Sequence, residues 1–307
     1  LPMQTVGRFA PSPSGRMHLG NVLCALLAWL SARHQNGAFL LRIEDLDAMR
    51  CPRSYADLIM DDLRWLGLDW DGEVPYQSER APIYEKYEQI LREKGLLYPC
   101  FCSRAALHAA SAPHLSDGRV LYAGTCRDLT PAEIEEKRKK RAPATRVRVP
   151  DEIISFTDGV FGAYSENLAE ECGDFIIRRS DGVFAYQLAV TVDDGLSGVT
   201  EVVRGSDLIS STPRQIWLYR LFGFEPPHFV HIPLLCDVDG RRLSKRDEDL
   251  DLGLLRERFT PEQVIGALAF AAHLTDRAEP ASVRELVRDF DWSRIPTHEL
   301  CLPPMFR

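Results

Sequence analysis

The stretch Gly7–Asn21 constrains the fold most, because it sets an irregular loop between two apolar segments. Pro11 and Pro13 each fix φ and lack a backbone N–H, so a regular strand or helix cannot pass through this loop. A long apolar run follows the loop. The pattern predicts a strand over residues 5–9, a loop, and a helix over residues 19–36.

The start of the predicted helix is a candidate phosphate site. Its first backbone N–H groups have no partner within the helix and carry the positive end of the helix dipole. Gly15 and Gly20 allow the backbone to approach a ligand closely, and His18 and Asn21 offer side-chain donors. The alternative interpretation is an ordinary proline-rich turn in front of a core helix.

Strand and helix patterns alternate after this loop. An apolar run over residues 38–43 predicts a buried parallel strand, and amphipathic spacing predicts helices over residues 53–66 and 80–94. Glu44 follows the strand at its carboxyl end, where open α/β sheets bind their ligands. We therefore predict an α/β fold with a doubly wound parallel sheet.

The pattern changes after residue 97 and indicates four parts. An insertion that contains cysteines interrupts the sheet domain, and a small helical part follows its second half. The predicted boundaries are 1–97, 98–185, 186–250 and 251–307. Further strands are predicted at 146–149, 174–179, 183–190, 199–204 and 229–235. Further helices are predicted at 131–141, 212–222, 260–273 and 281–290.

Three of the cysteines, Cys100, Cys102 and Cys126, suggest a structural zinc site in the insertion. Zinc in such sites is tetrahedral, and a closed set of four ligands leaves no open position for catalysis. The residues leave the fourth ligand open, although histidine is a commoner zinc ligand than tyrosine. Its nearby candidates are His108, His114 and Tyr122. The alternative is three ordinary buried cysteines.

A basic segment, Arg241–Arg246, lies in the predicted second half of the sheet domain. Its cations and the hydroxyl of Ser244 could hold a triphosphate and neutralise the charge that develops on it. A basic loop by itself is usually only solvated. The interpretation therefore depends on its combination with the phosphate site at the first helix.

The net charge of −8 at pH 7 argues against a broad basic surface, so a nucleic-acid partner would need a local patch. Residues 137–141 are the candidate, and a solvated helix end is the alternative.

The sequence contains no apolar run of membrane-spanning length and no signal-peptide pattern. We expect a cytoplasmic monomer without a membrane partner.

Two motifs together resemble the nucleotide-binding signatures of the class I aminoacyl-tRNA synthetases in their glutamyl form. They are His18-Leu19-Gly20-Asn21 and Leu243-Ser244-Lys245, and the resemblance extends over residues 5–250. It implies a Rossmann-type catalytic domain that activates L-glutamate as glutamyl-adenylate, with ATP and Mg²⁺. The ATP-binding residues that it implies are His18, Gly20, Asn21, Ser244 and Lys245, with His18 and Lys245 as catalytic residues.

The same resemblance implies a glutamate pocket. Arg8 and Arg204 would face carboxylates, which arginine can bind through two N–H groups, and Glu44 would face the ammonium group. The other implied pocket residues are Phe9, Ala10, Pro11, Ser12 and Tyr186, of which Ser12 and Tyr186 add hydrogen bonds. Val190 stands where ordinary glutamyl enzymes carry an asparagine, so one polar contact to glutamate is expected to be missing.

Within the family, Tyr122-Ala123-Gly124-Thr125-Cys126 resembles an element of a short glutamyl-like subfamily and implies Tyr122 as the fourth zinc ligand. The sequence ends at residue 307, soon after the basic segment, whereas ordinary glutamyl enzymes continue into helical domains that read the anticodon. The resemblance to this subfamily implies an enzyme that activates glutamate without tRNA and transfers it to queuosine in the anticodon of tRNA(Asp).

Two alternatives stay open at this point. One is a truncated glutamyl-tRNA synthetase that charges the 3′ end of tRNA(Glu). The other is a non-catalytic RNA-binding paralogue, which would require a damaged nucleotide site. The presence of Arg8, His18 and Lys245 disfavours the paralogue.

Overall fold

The computed structural model describes residues 4–103, 121–243 and 250–306. The strands in these ranges are β1 (Val6–Phe9), β2 (Ala38–Leu41), β3 (Leu97–Cys100), β4 (Ala144–Val147), β5 (Ile153–Asp158), β6 (Gly162–Asn167), β7 (Phe175–Arg178), β8 (Glu201–Gly205), β9 (His228–Ile232), β10 (Leu235–Cys236) and β11 (Leu300–Cys301). The helices are α1 (Leu19–His34), α2 (Arg53–Leu66), α3 (Ala81–Glu93), α4 (Pro131–Arg138), α5 (Tyr186–Leu196), α6 (Thr212–Phe222), α7 (Leu252–Arg258), α8 (Pro261–Ala271) and α9 (Val283–Leu286).

Two pairs of parallel strands form the centre of the fold. β1 pairs with β2, and β8 pairs with β9. The pairs meet where the backbone N–H of Thr200 donates to Val6 O at 2.9 Å, just before β8 begins. The order β2-β1-β8-β9 therefore brings the first and second halves of the chain side by side. This arrangement confirms the predicted α/β class and the parallel pairing.

The strands of this sheet are buried on both faces. On one face Phe39, Val203 and Val230 join a core that contains most of α1. On the other face Val202 and Phe229 join a core with α5 and α6. Each strand therefore sends successive side chains into two different cores, which explains why its sequence is an apolar run without polar alternation.

The insertion is antiparallel. β3, β4 and β7 form one sheet in that order, and β5 and β6 form a hairpin. The sequence pattern predicts neither this hairpin nor helix α7. Half of β5 is exposed, so its apolar residues are too few to mark a strand by periodicity.

The predicted strand over residues 183–190 is wrong. Helix α5 begins at Tyr186, and residues 188–194 within it are all buried. An apolar run of this length does not distinguish a buried strand from a buried helix.

The predicted boundaries of α2 and α6 are confirmed. An αL glycine ends each of these helices, Gly67 with φ of 81° and Gly223 with φ of 75°.

The other predicted helices are shorter than expected. α1 ends at His34 and α4 at Arg138. The predicted helix over residues 281–290 consists of α9 followed by a 3₁₀ turn, Val287–Asp289. Among the described residues, none of the helices combines the length and apolar character needed to cross a membrane.

Candidate active site and metal centre

The signature loop before α1 is held by side chains that cap the helix. The Nδ1 atom of His18 accepts a hydrogen bond from Gly20 N at 3.0 Å, and Asn21 Oδ1 accepts one from His18 N at 3.2 Å. Because Nδ1 accepts, the neutral His18 ring carries its proton on Nε2, a form that can donate to a phosphate. Both predicted side-chain donors are thus fixed at the helix N-terminus.

Of the basic segment that forms the second part of the predicted nucleotide site, the structure describes residues 241–243. Ser244 and Lys245 lie outside the described residues, so their phosphate-binding role stays a prediction. Asp251, just beyond the basic segment, forms an isolated antiparallel β-bridge with His18. The chain that follows the basic segment is therefore anchored beside the signature loop.

Two arginines reach the same side of the sheet from neighbouring strands. Val6 on β1 and Val202 on β8 face the core that contains α5 and α6. Because side chains alternate along a strand, Arg8 and Arg204, two residues further on, face the same side. Both arginines are 5% exposed, so they are buried between this face of the sheet and the helices that cover it.

Arg8 and Glu44 belong to one buried array of charges. Arg8 Nε and Nη2 donate to the carboxylate of Asp194 at 3.1 and 3.0 Å. Arg42 Nη1 donates to Asp194 at 2.7 Å, and its Nη2 donates to Glu44 at 3.0 Å. Arg42 and Asp194 thus connect two of the predicted pocket residues.

The array shifts the pKa values of its two carboxyl groups in opposite directions. Burial opposes ionisation of Asp194, but the charges and hydrogen bonds of Arg42 and Arg8 outweigh it and lower the pKa of Asp194 to about 2. For Glu44 burial is the stronger effect, and it raises the pKa above its ordinary value despite the two arginines. A bound cation near Glu44 would favour its ionised form.

Arg204 is held by four side chains. Its Nε donates to His231 Nε2 at 3.0 Å, and its Nη2 donates to Thr212 Oγ1 at 2.7 Å. Its Nη1 donates to Gln215 Oε1 at 2.8 Å and to the hydroxyl of Tyr186 at 3.3 Å. Two predicted pocket residues, Arg204 and Tyr186, are therefore in direct contact.

The backbone of residues 9–12, which holds the other predicted pocket residues, runs beside this charged array. Arg42 N donates to Phe9 O at 3.0 Å, and Glu44 N donates to Pro11 O at 2.9 Å. These bonds extend the pairing of β1 and β2 into the loop. Residues 9–12 therefore lie next to the charges of Arg42 and Glu44.

Sequence reasoning missed the buried partners of these arginines. Arg42 could have been found, because it lies two residues before Glu44, and residues two apart in an extended segment share a face. Asp193 and Asp194 within an apolar segment were a second signal, since buried carboxylates need cationic partners. Val190 is 1% exposed on the same helix, so it contributes an apolar side chain to the packing.

Three cysteines of the insertion converge on a candidate metal centre. The Sγ atoms of Cys100, Cys102 and Cys126 all lie within 4.8 Å of one another. The hydroxyl of Tyr122 lies 3.6 Å from Cys100 Sγ and 3.8 Å from Cys102 Sγ. With Zn–S bonds of about 2.3 Å, two thiolates on a tetrahedral zinc ion are about 3.8 Å apart. Cys102 Sγ and Cys126 Sγ are 3.7 Å apart, so the three sulfurs fit a zinc ion.

Arg146 lies against two of these four donors. Its Nε donates to Cys100 Sγ at 3.1 Å, and its guanidinium carbon is 3.6 Å from the centre of the Tyr122 ring. Burial raises the pKa of the Cys100 thiol, but the hydrogen bond and charge of Arg146 outweigh it and lower that pKa overall. The other candidate ligands, His108 and His114, lie outside the described residues.

Comparison with known proteins places these features in a family. Residues 4–294 match the family described as tRNA synthetases class I (E and Q), catalytic domain. A glutamyl-Q tRNA(Asp) synthetase from Symbiobacterium thermophilum is 49% identical over 97% of this chain and 95% of that relative. Another from Nitratidesulfovibrio vulgaris is 47% identical over 97% of this chain and 95% of its own length.

Solved structures agree with this similarity. The crystal structure of a glutamate tRNA ligase from Elizabethkingia meningosepticum, in complex with its amino acid, superposes with a TM-score of 0.84 at 28% identity. The superposition covers 99% of this chain and 68% of that one. The strands that carry the arginines therefore belong to a fold that is also found in a glutamate tRNA ligase.

Proposed function

The chain belongs to the glutamyl-Q tRNA(Asp) synthetase family of class I tRNA synthetases, and from this premise we propose that it activates L-glutamate with ATP, without tRNA, and transfers it to queuosine in the anticodon of tRNA(Asp). The identity of the acceptor rests on the relatives. The use of glutamate is supported independently by the buried charges at the sheet.

One observation carries the assignment of glutamate: the buried Arg8 and Arg204 lie toward the carboxyl ends of the neighbouring strands β1 and β8, and the buried Glu44 follows the carboxyl end of β2. Arg8 and Arg204 suit the two carboxylates of glutamate by charge. Asp194 already accepts from Nε and Nη2 of Arg8, so Arg8 would bind a ligand carboxylate through Nη1. Glu44 suits the ammonium group. Tyr186 accepts from Arg204, which leaves its own hydroxyl proton to donate to a carboxylate.

The proposed first step joins glutamate to ATP. A carboxylate oxygen of glutamate attacks the α-phosphorus, an O–P bond forms, and the bond to pyrophosphate breaks. The carboxylate is a modest nucleophile, so positioning and neutralisation of charge supply most of the rate. His18 and the amides at the start of α1 hold the phosphates, and Mg²⁺ accompanies ATP. Ser244 and Lys245 are assigned to the same phosphates by the family motif.

The proposed second step transfers glutamate to RNA. A hydroxyl of queuosine attacks the carbonyl carbon of the adenylate, an ester forms, and AMP leaves with the hydroxyl proton. Bases outside RNA helices can be splayed into a protein crevice, so an anticodon loop can present queuosine at the sheet. The exposed basic residues 137–141 at the end of α4 offer phosphate contacts.

We propose that the cluster of Cys100, Cys102, Tyr122 and Cys126 holds one structural zinc ion, and that the zinc stabilises the fold of the insertion. Four protein donors occupy all four coordination positions of a tetrahedral zinc ion. The zinc is therefore assigned no step in the reaction.

Replacing Gly20 with alanine should raise the KM for ATP by about tenfold or more. A Cβ at this position would lie 2.9 Å from His18 Cε1 and 3.0 Å from His18 Nδ1, so the ring would have to leave its capping position. Pyrophosphate exchange at varied ATP concentration measures the effect. Gly15→Ala is the matched control, because nothing lies within 4 Å of a Cβ placed there. Equal KM values for the two variants would contradict the role of His18.

Glutamate-dependent exchange of pyrophosphate into ATP, measured without any tRNA, tests the activation step. We expect exchange with L-glutamate, and much less with L-glutamine or L-aspartate, because glutamine lacks the side-chain carboxylate and aspartate carries it on a shorter side chain. Exchange that begins only after tRNA is added would contradict a tRNA-independent mechanism. Absence of exchange under all conditions would support a non-catalytic RNA-binding protein instead.

A further inference from the structure

We infer that Asp158 and His231 form a buried positioning dyad that fixes the orientation of Arg204 for binding a carboxylate of glutamate. The inference rests on the proposed function, because it concerns how the glutamate site is held. Neither residue belongs to the predicted pocket. The inference is supported by the contacts among Asp158, His231 and Arg204 and by the position of the proton on the His231 ring.

The dyad is short and buried. Asp158 Oδ2 and His231 Nδ1 are 2.6 Å apart, and both side chains are 0% exposed. The other carboxylate oxygen of Asp158 accepts from the backbone N–H groups of Val160 and Phe161 at 2.9 and 3.0 Å. The carboxylate is thus fixed on one side by the turn that follows β5 and on the other by the histidine.

The proton in this chain of contacts can be located. Arg204 Nε can only donate, so His231 Nε2 must accept the hydrogen bond between them at 3.0 Å. The ring proton then lies on Nδ1 and is donated to Asp158. Burial lowers the pKa of His231, and the charge of Arg204 adds to this effect despite the opposing influence of Asp158. The imidazole is therefore neutral, with a defined tautomer.

This arrangement leaves Arg204 little freedom. Nε is used by His231, both hydrogens of Nη1 by Gln215 and Tyr186, and one hydrogen of Nη2 by Thr212. Among the described residues, no acceptor contacts the second hydrogen of Nη2, which is available to a ligand. A carboxylate can bridge this N–H and the Tyr186 hydroxyl. Rotation of the guanidinium would break the arrangement, and the contact at Nε opposes such a rotation.

The dyad also connects the insertion to the pocket. Asp158 is the last residue of β5, whereas His231 lies on β9 of the central sheet. The next residue, Gly159, donates its N–H to Phe229 O at 2.9 Å, and a Cβ at Gly159 would lie 2.7 Å from a methyl of Val230. The end of the hairpin is therefore packed closely on the strand that supports Arg204.

The variant Asp158→Asn tests the dyad by moving the ring proton of His231 from Nδ1 to Nε2. The asparagine oxygen should keep the position that accepts from Val160 and Phe161. Its NH₂ group then takes the position of Oδ2, opposite His231 Nδ1 and the backbone N–H of His231. The ring proton must then move to Nε2, where it opposes the donor Arg204 Nε. We expect the KM for glutamate in pyrophosphate exchange to rise about tenfold or more, with the KM for ATP within about twofold of the wild-type value.

Variants at His231 make the test independent of that substitution. A glutamine side chain at this position retains an acceptor that can reach Arg204, whereas an alanine side chain does not. His231→Gln should therefore recover a large part of the glutamate affinity that His231→Ala loses. His228→Ala is the matched control, because His228 is an exposed histidine on the same strand, and it should leave both KM values unchanged. Thermal unfolding of each variant identifies one that does not fold.

The outcomes separate this inference from the proposed function. Lack of glutamate-dependent exchange in the wild-type protein would overturn the proposed function itself. Wild-type exchange together with an unchanged KM for glutamate in folded Asp158→Asn would overturn the dyad. Equal losses in His231→Gln and His231→Ala, or equal increases of both KM values, would indicate a merely structural role and would also overturn it.

Discussion

Replacing Asp194 with asparagine should lower the free energy of unfolding by about 3–5 kcal/mol, because it leaves Arg8 and Arg42 buried without their shared anion. Asp194 is 1% exposed, so water cannot take over the role of the carboxylate. Asparagine has nearly the same shape as aspartate, so the loss reports charge and not a cavity. Denaturant unfolding of both proteins at neutral pH gives the difference.

The pH dependence of the same experiment has a definite sign. The pKa of Asp194 is about 2 in the folded chain, below the ordinary value of 3.8. The unfolded chain therefore binds a proton at this residue first, and the carboxylate stabilises the folded state fully above pH 3.8. That contribution is lost as the pH falls through about 2, so the two proteins should differ most at neutral pH and least in strong acid.

Glu79→Gln provides the matched control. Glu79 forms an ion pair with Arg53 at 2.8 Å, but the two side chains are 60% and 62% exposed. Exposed pairs contribute about 0–1 kcal/mol, so this variant should be nearly as stable as the wild-type protein. Equal stabilities of Asp194→Asn and Glu79→Gln would contradict the assignment of a buried charge array.

Replacing Cys126 with serine should remove the zinc ion and unfold the insertion around β3 and β4. A thiolate is one of four donors in the proposed site, and structural zinc contributes roughly 10–16 kcal/mol of apparent binding free energy in small zinc domains. We expect about one zinc per wild-type chain, and much less per variant chain after dialysis against a chelator. Metal analysis and thermal unfolding measure the two effects.

Cys172→Ser is the control for this experiment, because Cys172 is buried in the same insertion but lies outside the metal cluster. It should retain its zinc. Tyr122→Phe removes only the hydroxyl, and a weakened but measurable zinc affinity is expected if this hydroxyl is the fourth ligand. A wild-type protein without metal and with an unchanged melting temperature would contradict the zinc assignment.

The sequence predicts the elements of this fold better than their contacts. The boundaries of α2 and α6 are marked by local signals. α2 has an amphipathic stripe, α6 has a proline in its first turn, and a glycine follows each helix. The strand predicted over residues 183–190 is wrong because burial on all sides removes the periodicity that separates helix from strand. Local pattern therefore fails where the packing is most complete.

The candidate site shows the same difference between local patterns, which the sequence reveals, and long-range contacts, which it does not. Motifs and the family resemblance identify Arg8, His18 and Arg204, because these residues stand in recognisable local strings. Asp194 and Arg8 are 186 residues apart, and Asp158 and His231 are 73 apart, so no local pattern links them. The residues that are expected to bind ligands could be predicted, whereas the residues that hold them in place required the three-dimensional structure.

The most direct test of the proposed function compares two preparations of tRNA(Asp), one with queuosine and one without, as acceptors of labelled glutamate. We predict that label enters only the queuosine-bearing tRNA and stays on the anticodon fragment after nuclease cleavage. Label on the 3′-terminal ribose, or equal labelling of both preparations, would contradict transfer to queuosine.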